Sequence, residues 1–134
     1  MQSKLIWNNQ MGFSAAGESG HLIIMDADTA NGGAGQGLRP MELLLHGLGG
    51  CTGMDVVSIL KKMQIDLENF SIEINAERAP EHPKRFTNIH LIFKMSGPNI
   101  NRDKAYHAIE LSQTKYCSVA ASLNAKISYE LIIE

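Results

Sequence analysis

Apolar and polar residues alternate with period two in three stretches of the chain. Phe70, Ile72, Ile74 and Ala76 alternate with Ser71, Glu73, Asn75 and Glu77, which predicts a half-buried strand. Between residues 85 and 95 the face Thr87, Ile89, Leu91, Phe93, Met95 is apolar and predicts a second strand. The two form a hairpin through Ala79-Pro80-Glu81-His82-Pro83, a long connection. Ile127, Tyr129, Leu131 and Ile133 mark a final strand over 126–134. Short apolar runs at 4–7 and 21–25, with Gly17 and Gly20 as turn signals between them, predict a meander of two or three antiparallel strands. Asn31 to Gly37 reads as a flexible surface connector. Its glycines match neither GxGxxG nor the P-loop, so phosphate binding is not expected.

A helical period takes over at Pro40, a residue suited to a first helical position. Leu44, Leu45, Leu48, Cys51, Val56, Ile59, Leu60 and Met63 carry it to about Gln64. Its first half is apolar nearly all round and should be buried, in a core or against a partner chain. Gly47, Gly49, Gly50 and Gly53 lie inside it, each costing about 1 kcal/mol against alanine. Gly49 and Gly53, four apart, share a face, which predicts close backbone approach by another element. Open space for a substrate beside the Cys51 sulfur is the weaker compensation. A second helix is expected over 102–115, with Asn101 as N-cap and Ala105, Ile109 and Ser112 on its inner side. Residues 117–123 read as a short helix capped by Thr114 or Ser118. Strands, long helix, strands, helices, strand is an α+β order, in one domain over 1–134.

Composition narrows the partners. With 44% hydrophobic and 19% charged residues the chain has ordinary globular usage. A net charge of -2 offers no basic excess for a phosphate backbone, so nucleic acid is not expected. No apolar run approaches the ~18–20 residues of a membrane span. Asn8, Asn9 and Gln10 follow Trp7 directly, against a signal peptide, and a cytoplasmic address is the default.

Two cysteines, Cys51 and Cys117, are too few for a disulfide scaffold or a structural zinc site. In a reducing compartment they are packing residues or redox groups. Cys51 sits in the long helix, where a cysteine often serves as a small hydrophobe, but Thr52 and Asp55 stand close to it. Asp55, at i+4, would oppose a thiolate if it faced the sulfur. His46 is turned about 140° away from Cys51 on an ideal helix. Cys117 lies near an expected helix N-terminus, which would lower its pKa. Glu42 and His46, at i,i+4, lack a second ligand pair and read as solvated rather than metal-binding. The seven methionines read as core filler.

Pro40-Met41-Glu42-Leu43-Leu44-Leu45, then Gly49-Gly50-Cys51-Thr52, then Asp55-Val56-Val57, with Lys115-Tyr116-Cys117-Ser118-Val119 late in the chain, resembles the OsmC/Ohr family. These are osmotically inducible and organic hydroperoxide resistance proteins, and the similarity extends over nearly the whole chain. The Gly-Gly-Cys-Thr motif resembles the family's less characterised branch. The resemblance implies an intertwined α+β homodimer with its long helices central and each active site at the interface. It implies a thiol peroxidase in which Cys51 attacks an organic hydroperoxide, Cys117 resolves the sulfenic acid as a disulfide, and a dithiol reductant restores both. It implies no metal and no organic cofactor. An Arg and a Glu activate the first cysteine in the family's well-studied members. Here Met41 occupies the usual glutamate position, and Glu42 follows it, nine residues before Cys51. Arg39 is the sole arginine up to the helix. These displacements leave open an alternative, an OsmC-like redox or small-molecule-binding protein with little peroxidase activity.

Overall fold

The computed structural model describes residues 1–134. It is α+β, as expected, and comprises two compact units, Met1–His46 and Gly47–Glu134. The first unit holds the antiparallel meander β1 (Ser3–Trp7), β2 (Phe13–Gly17) and β3 (Leu22–Met25), with Leu5 opposite Ala15 and Ala15 opposite Ile23. The apolar runs at 4–7 and 21–25 are its outer strands. Unusually, this sheet hides little of its apolar surface. Leu5, Ile6, Trp7, Leu22 and Ile24 are all more than half exposed.

Residues 26–39 are more ordered than the connector that their glycines suggest. The Asp26 carboxylate, 5% exposed, accepts the N–H groups of Ala27, Ala34 and Gln36 and so ties the loop to the end of β3. The Gln36 N–H, helped by those of Ala27 and Ala34, holds this carboxyl below its usual range against the opposing pull of burial. A short 3-10 turn at Thr29–Asn31 is capped by Asp28.

Helix α1 (Pro40–Lys62) begins at the expected proline. In the second unit it is followed by β4 (Asn69–Arg78), β5 (Phe86–Ser96), α2 (Arg102–Leu111), α3 (Ser118–Ser122) and β6 (Lys126–Ile133). β4 and β5 form the expected antiparallel hairpin, with Ile72 opposite Phe93 and Ile74 opposite Leu91. β6 joins β5 in parallel, Ile89 opposite Ile127 and Phe93 opposite Leu131. A parallel neighbour needs a crossover, which α2 and α3 supply. The central strand contributes more to the core than any other element: Ile89, Leu91, Phe93 and Met95 are at most 1% exposed.

Length and composition alone would let α1 cross a bilayer. In this fold one stripe of it packs into the core, while Leu44, Met54 and Val57 stay exposed, so its first half is not buried all round, contrary to expectation. Leu48, Thr52, Val56 and Leu60, spaced four apart, form a fully buried stripe. Beside it, a Cβ on Gly49 would stand 2.9 Å from Ile74 Cδ1, and one on Gly53 would stand 3.3 Å from Ile72 Cδ1. Four helical residues rise about 6 Å and two strand residues about 6.6 Å. A glycine every fourth residue therefore matches an isoleucine every second residue of β4. The expected close approach is present, made by isoleucine side chains against the glycine backbone.

Candidate functional site

Cys51 and Asp55 lie one turn apart on α1, so their side chains share a face. Cys117 reaches them from within the crossover, at the junction between α2 and α3. Its Sγ, the Cys51 Sγ and an Asp55 carboxylate oxygen all lie within 4.8 Å of one another. Both thiols are free; Cys51 is half-buried and Cys117 is 4% exposed.

The path to Cys117 departs from the simple helix expected over 102–115. Asn101 caps α2 as predicted, its side chain accepting the Lys104 N–H. The α-helix ends at Leu111, however, and Ser112–Tyr116 form a π-helical turn. The Cys117 N–H then donates to the Ser112 carbonyl at 2.8 Å. Such a turn adds one residue per ring and is frequent at functional sites. It sets Cys117 one wide turn beyond Ser112. Neither Thr114 nor Ser118 caps α3. Cys117 does so itself, its Sγ accepting the Ala120 N–H at 3.4 Å.

A polar chain runs beneath the sulfurs. Gln113 Nε2 donates to Thr52 Oγ1 at 2.6 Å, Thr52 Oγ1 and Ser112 Oγ are 2.8 Å apart, and Ser112 Oγ donates to Asp55 Oδ2 at 2.8 Å. The single Ser112 proton is committed to the carboxylate, so Thr52 must be the donor to Ser112. Thr52 and Ser112 are both fully buried. Each interrupts an otherwise apolar stripe, and burial of an unpartnered hydroxyl is costly, so such a pair is expected to meet. That was the available sequence signal for this network.

The expectation that a helix N-terminus would lower the Cys117 pKa is overturned. Burial pushes the thiol up to about 11, and Cys51 and Asp55 act in the same direction. The Ala120 N–H pulls the other way and is outweighed; α3 has only five residues. The unfolded chain would release this proton near the ordinary value of 9.0. Stability carried by the protonated thiol is thus complete below about 9 and lost as pH rises towards about 11. Wild-type urea midpoints should fall more steeply across that window than those of Cys117→Ser. Parallel declines would show that Cys117 is not held protonated.

Arg39 and Glu42 lie in the first unit, where they meet each other. Arg39 Nε is 3.9 Å from Glu42 Oε1, the Arg39 N–H donates to Glu42 Oε2, and Asp28 Oδ2 is 4.0 Å from Arg39 Nη2. As a metal site, the Cys51, Asp55, Cys117 trio is one donor short of the four that structural zinc takes. As a thiol site it has the two neighbouring sulfurs that disulfide chemistry needs.

The model of OsmC-like proteins matches residues 33–132. The chain belongs to the OsmC-like family. Protein YhfA of Escherichia coli strain K12 is 35% identical to it over 136 positions, covering 98% of each chain. The crystal structure of a hypothetical protein from Aquifex aeolicus VF5 is 33% identical, with a TM-score of 0.81 over 99% of this chain and 96% of that one. The organic hydroperoxide resistance protein OsmC from Legionella pneumophila shares the fold at 15% identity, with a TM-score of 0.70 over 99% and 95% of the two chains. An OsmC-like fold that brings two cysteines side by side points to a redox role.

Proposed function

We propose that this OsmC-like protein is a thiol-dependent peroxidase that reduces organic hydroperoxides through Cys51 and Cys117, in defence against oxidative stress. The observation that carries this reading is a half-buried cysteine with a buried one within 4.8 Å of it. The accessible Cys51 thiolate attacks the terminal peroxide oxygen. The O–O bond breaks, the alkoxide leaves as an alcohol after taking a proton, and Cys51 becomes a sulfenic acid. The Cys117 sulfur displaces the hydroxyl as water and forms the disulfide. A bond of about 2.05 Å requires the two side chains to swing together. Two exchanges with a dithiol of the dihydrolipoyl type restore both thiols and oxidise the reductant to its own disulfide.

One observation favours the second reading, a redox or small-molecule-binding protein with little peroxidase activity. A carboxylate beside the sulfurs opposes the thiolate that peroxide chemistry needs. Consumption of cumene hydroperoxide with dihydrolipoamide, followed at pH 7, separates the two. Multiple turnovers per chain are expected. Thiols that stay reduced under excess peroxide would overturn the peroxidase reading. Arg39 and Glu42 enter on the family resemblance as the groups that ready Cys51, and Arg39→Gln and Glu42→Gln should each slow that assay.

We propose also that the chain works as a homodimer. A three-stranded sheet with Leu5, Ile6, Trp7, Leu22 and Ile24 open to water exposes more apolar surface than a monomer usually carries. Cover by a second copy fits the resemblance. Sedimentation at micromolar concentration should give twice the chain mass, and a monomer would contradict the proposal.

A further inference from the structure

Building on the redox reading of the cysteine pair, we infer that Asp55 carries the proton in the step that closes the Cys51–Cys117 disulfide, with Ser112 and Thr52 as its positioning residues. The hydrogen-bond chain has one direction. Gln113 Nε2 can only donate, Thr52 passes the polarity to Ser112, and Ser112 donates to Asp55 Oδ2. Three donors in series end on one carboxylate, which accepts the last of them. Ser112 occupies Oδ2, and one oxygen of the same carboxylate lies within 4.8 Å of both sulfurs. Because Thr52 and Ser112 are wholly buried, their hydroxyls bond each other and the carboxylate rather than bulk water.

The chemistry supplies the need. A thiol held protonated up to about 11 is a poor nucleophile at neutral pH, since the thiolate is the attacking species. Its proton has to leave as the bond forms. Three groups act on the Cys117 sulfur: the other thiol, the Ala120 N–H and Asp55. Of these, only the carboxylate offers a basic oxygen that can take the proton as the bond forms. In the step, the Cys117 S–H bond breaks and its proton passes to Asp55. The freed electron pair forms the S–S bond, oxidising Cys117 and reducing the sulfenic sulfur of Cys51. The Cys51 S–O bond breaks, and the departing hydroxide takes the proton from Asp55 and leaves as water. Thiol plus sulfenic acid becomes disulfide plus water, and Asp55 ends as it began.

A passive carboxylate predicts the opposite sign. If Asp55 only repelled the thiolate, its removal would lower the Cys117 pKa and speed closure. The two cases separate in a reaction that needs no peroxide. Reduced protein is mixed with the aromatic disulfide 5,5′-dithiobis(2-nitrobenzoate). Cys51 attacks first and releases one thionitrobenzoate; Cys117 then attacks the mixed disulfide and releases a second. In Asp55→Asn, which keeps an acceptor for Ser112, the first phase should not slow, and the second should slow about tenfold or more at pH 7, the low end for general-base catalysis or below. The second-phase rate of the variant should climb about tenfold per pH unit between 6 and 9, while wild type climbs less. Ser112→Ala, which leaves the carboxylate in place but unaimed, should slow the second phase severalfold and serves if Asp55→Asn does not fold. A second phase as fast as or faster than wild type, with wild-type pH dependence, would overturn the assignment. Because no hydroperoxide takes part, failure of the peroxidase reading would be seen separately, as cumene hydroperoxide left unconsumed by a protein that still closes its disulfide.

Discussion

Cys51→Ser is expected to abolish hydroperoxide turnover, a loss of roughly a thousandfold or more. A serine hydroxyl has neither the ionisation nor the polarisable sulfur that peroxide displacement demands. Cys117 cannot replace it: at 4% exposure it is hidden from a bulky hydroperoxide, and its proton is held to about 11. Cys117→Ser should behave differently. It should consume one equivalent of peroxide per chain and then stall at the Cys51 sulfenic acid, which dimedone would trap as a single adduct by mass. The contrast between no reaction and one equivalent assigns the two sulfurs their separate roles. Turnover by Cys51→Ser at the wild-type rate would remove Cys51 as the nucleophile. Unchanged dithiol-driven cycling by Cys117→Ser would remove Cys117 as the resolving partner.

That division of labour follows from burial, which local sequence does not carry. Local features were legible because they act over a few residues. Pro40 opens α1, Asn101 caps α2, and the period-two faces of 70–77 and 85–95 become β4 and β5. The glycines of α1 were legible as a demand for close approach, though not which strand would make it. What escaped depends on contacts between distant segments. Pairing of β6 parallel to β5 is a topological choice that the alternation of 126–134 leaves open. The π-helical turn at Ser112–Tyr116 lengthens a helix that periodicity would continue unchanged. The sign of the Cys117 pKa shift was misread because helix-end amides are visible in a sequence, whereas burial and the approach of Cys51 and Asp55 are not. Thr52 and Ser112 lie between these cases. Each is an anomaly on an apolar stripe, and their pairing explains both at once.

Gly49→Leu should produce the largest loss of stability and take the site with it. The first atom of a side chain at Gly49 already falls 2.9 Å from Ile74 Cδ1, and a leucine adds three more carbons in the same direction. Overpacking of a tight contact costs typically 1–3 kcal/mol and sometimes more. The helix preference of leucine over glycine, under about 1 kcal/mol, does not offset it. Ile74 Cδ1 is the end of a flexible side chain and can turn aside for one carbon, so it is the further carbons of a leucine that press α1 and β4 apart. Cys51 is two residues further along α1, while Cys117 is held through α2 and its π-helical turn, so separation would also spoil the match of the two sulfurs. The expected result is a fall of about 2 kcal/mol in unfolding free energy by urea, accompanied by slower disulfide closure. Trimming the opposing side chain tests the cause. In Gly49→Leu combined with Ile74→Ala the new carbons occupy the space that the isoleucine leaves, and the pair should recover much of the loss, a non-additivity of 1 kcal/mol or so. If the double variant is simply the sum of two losses, the glycine is not there for Ile74, and the spacing match between α1 and β4 does not explain why the helix tolerates it.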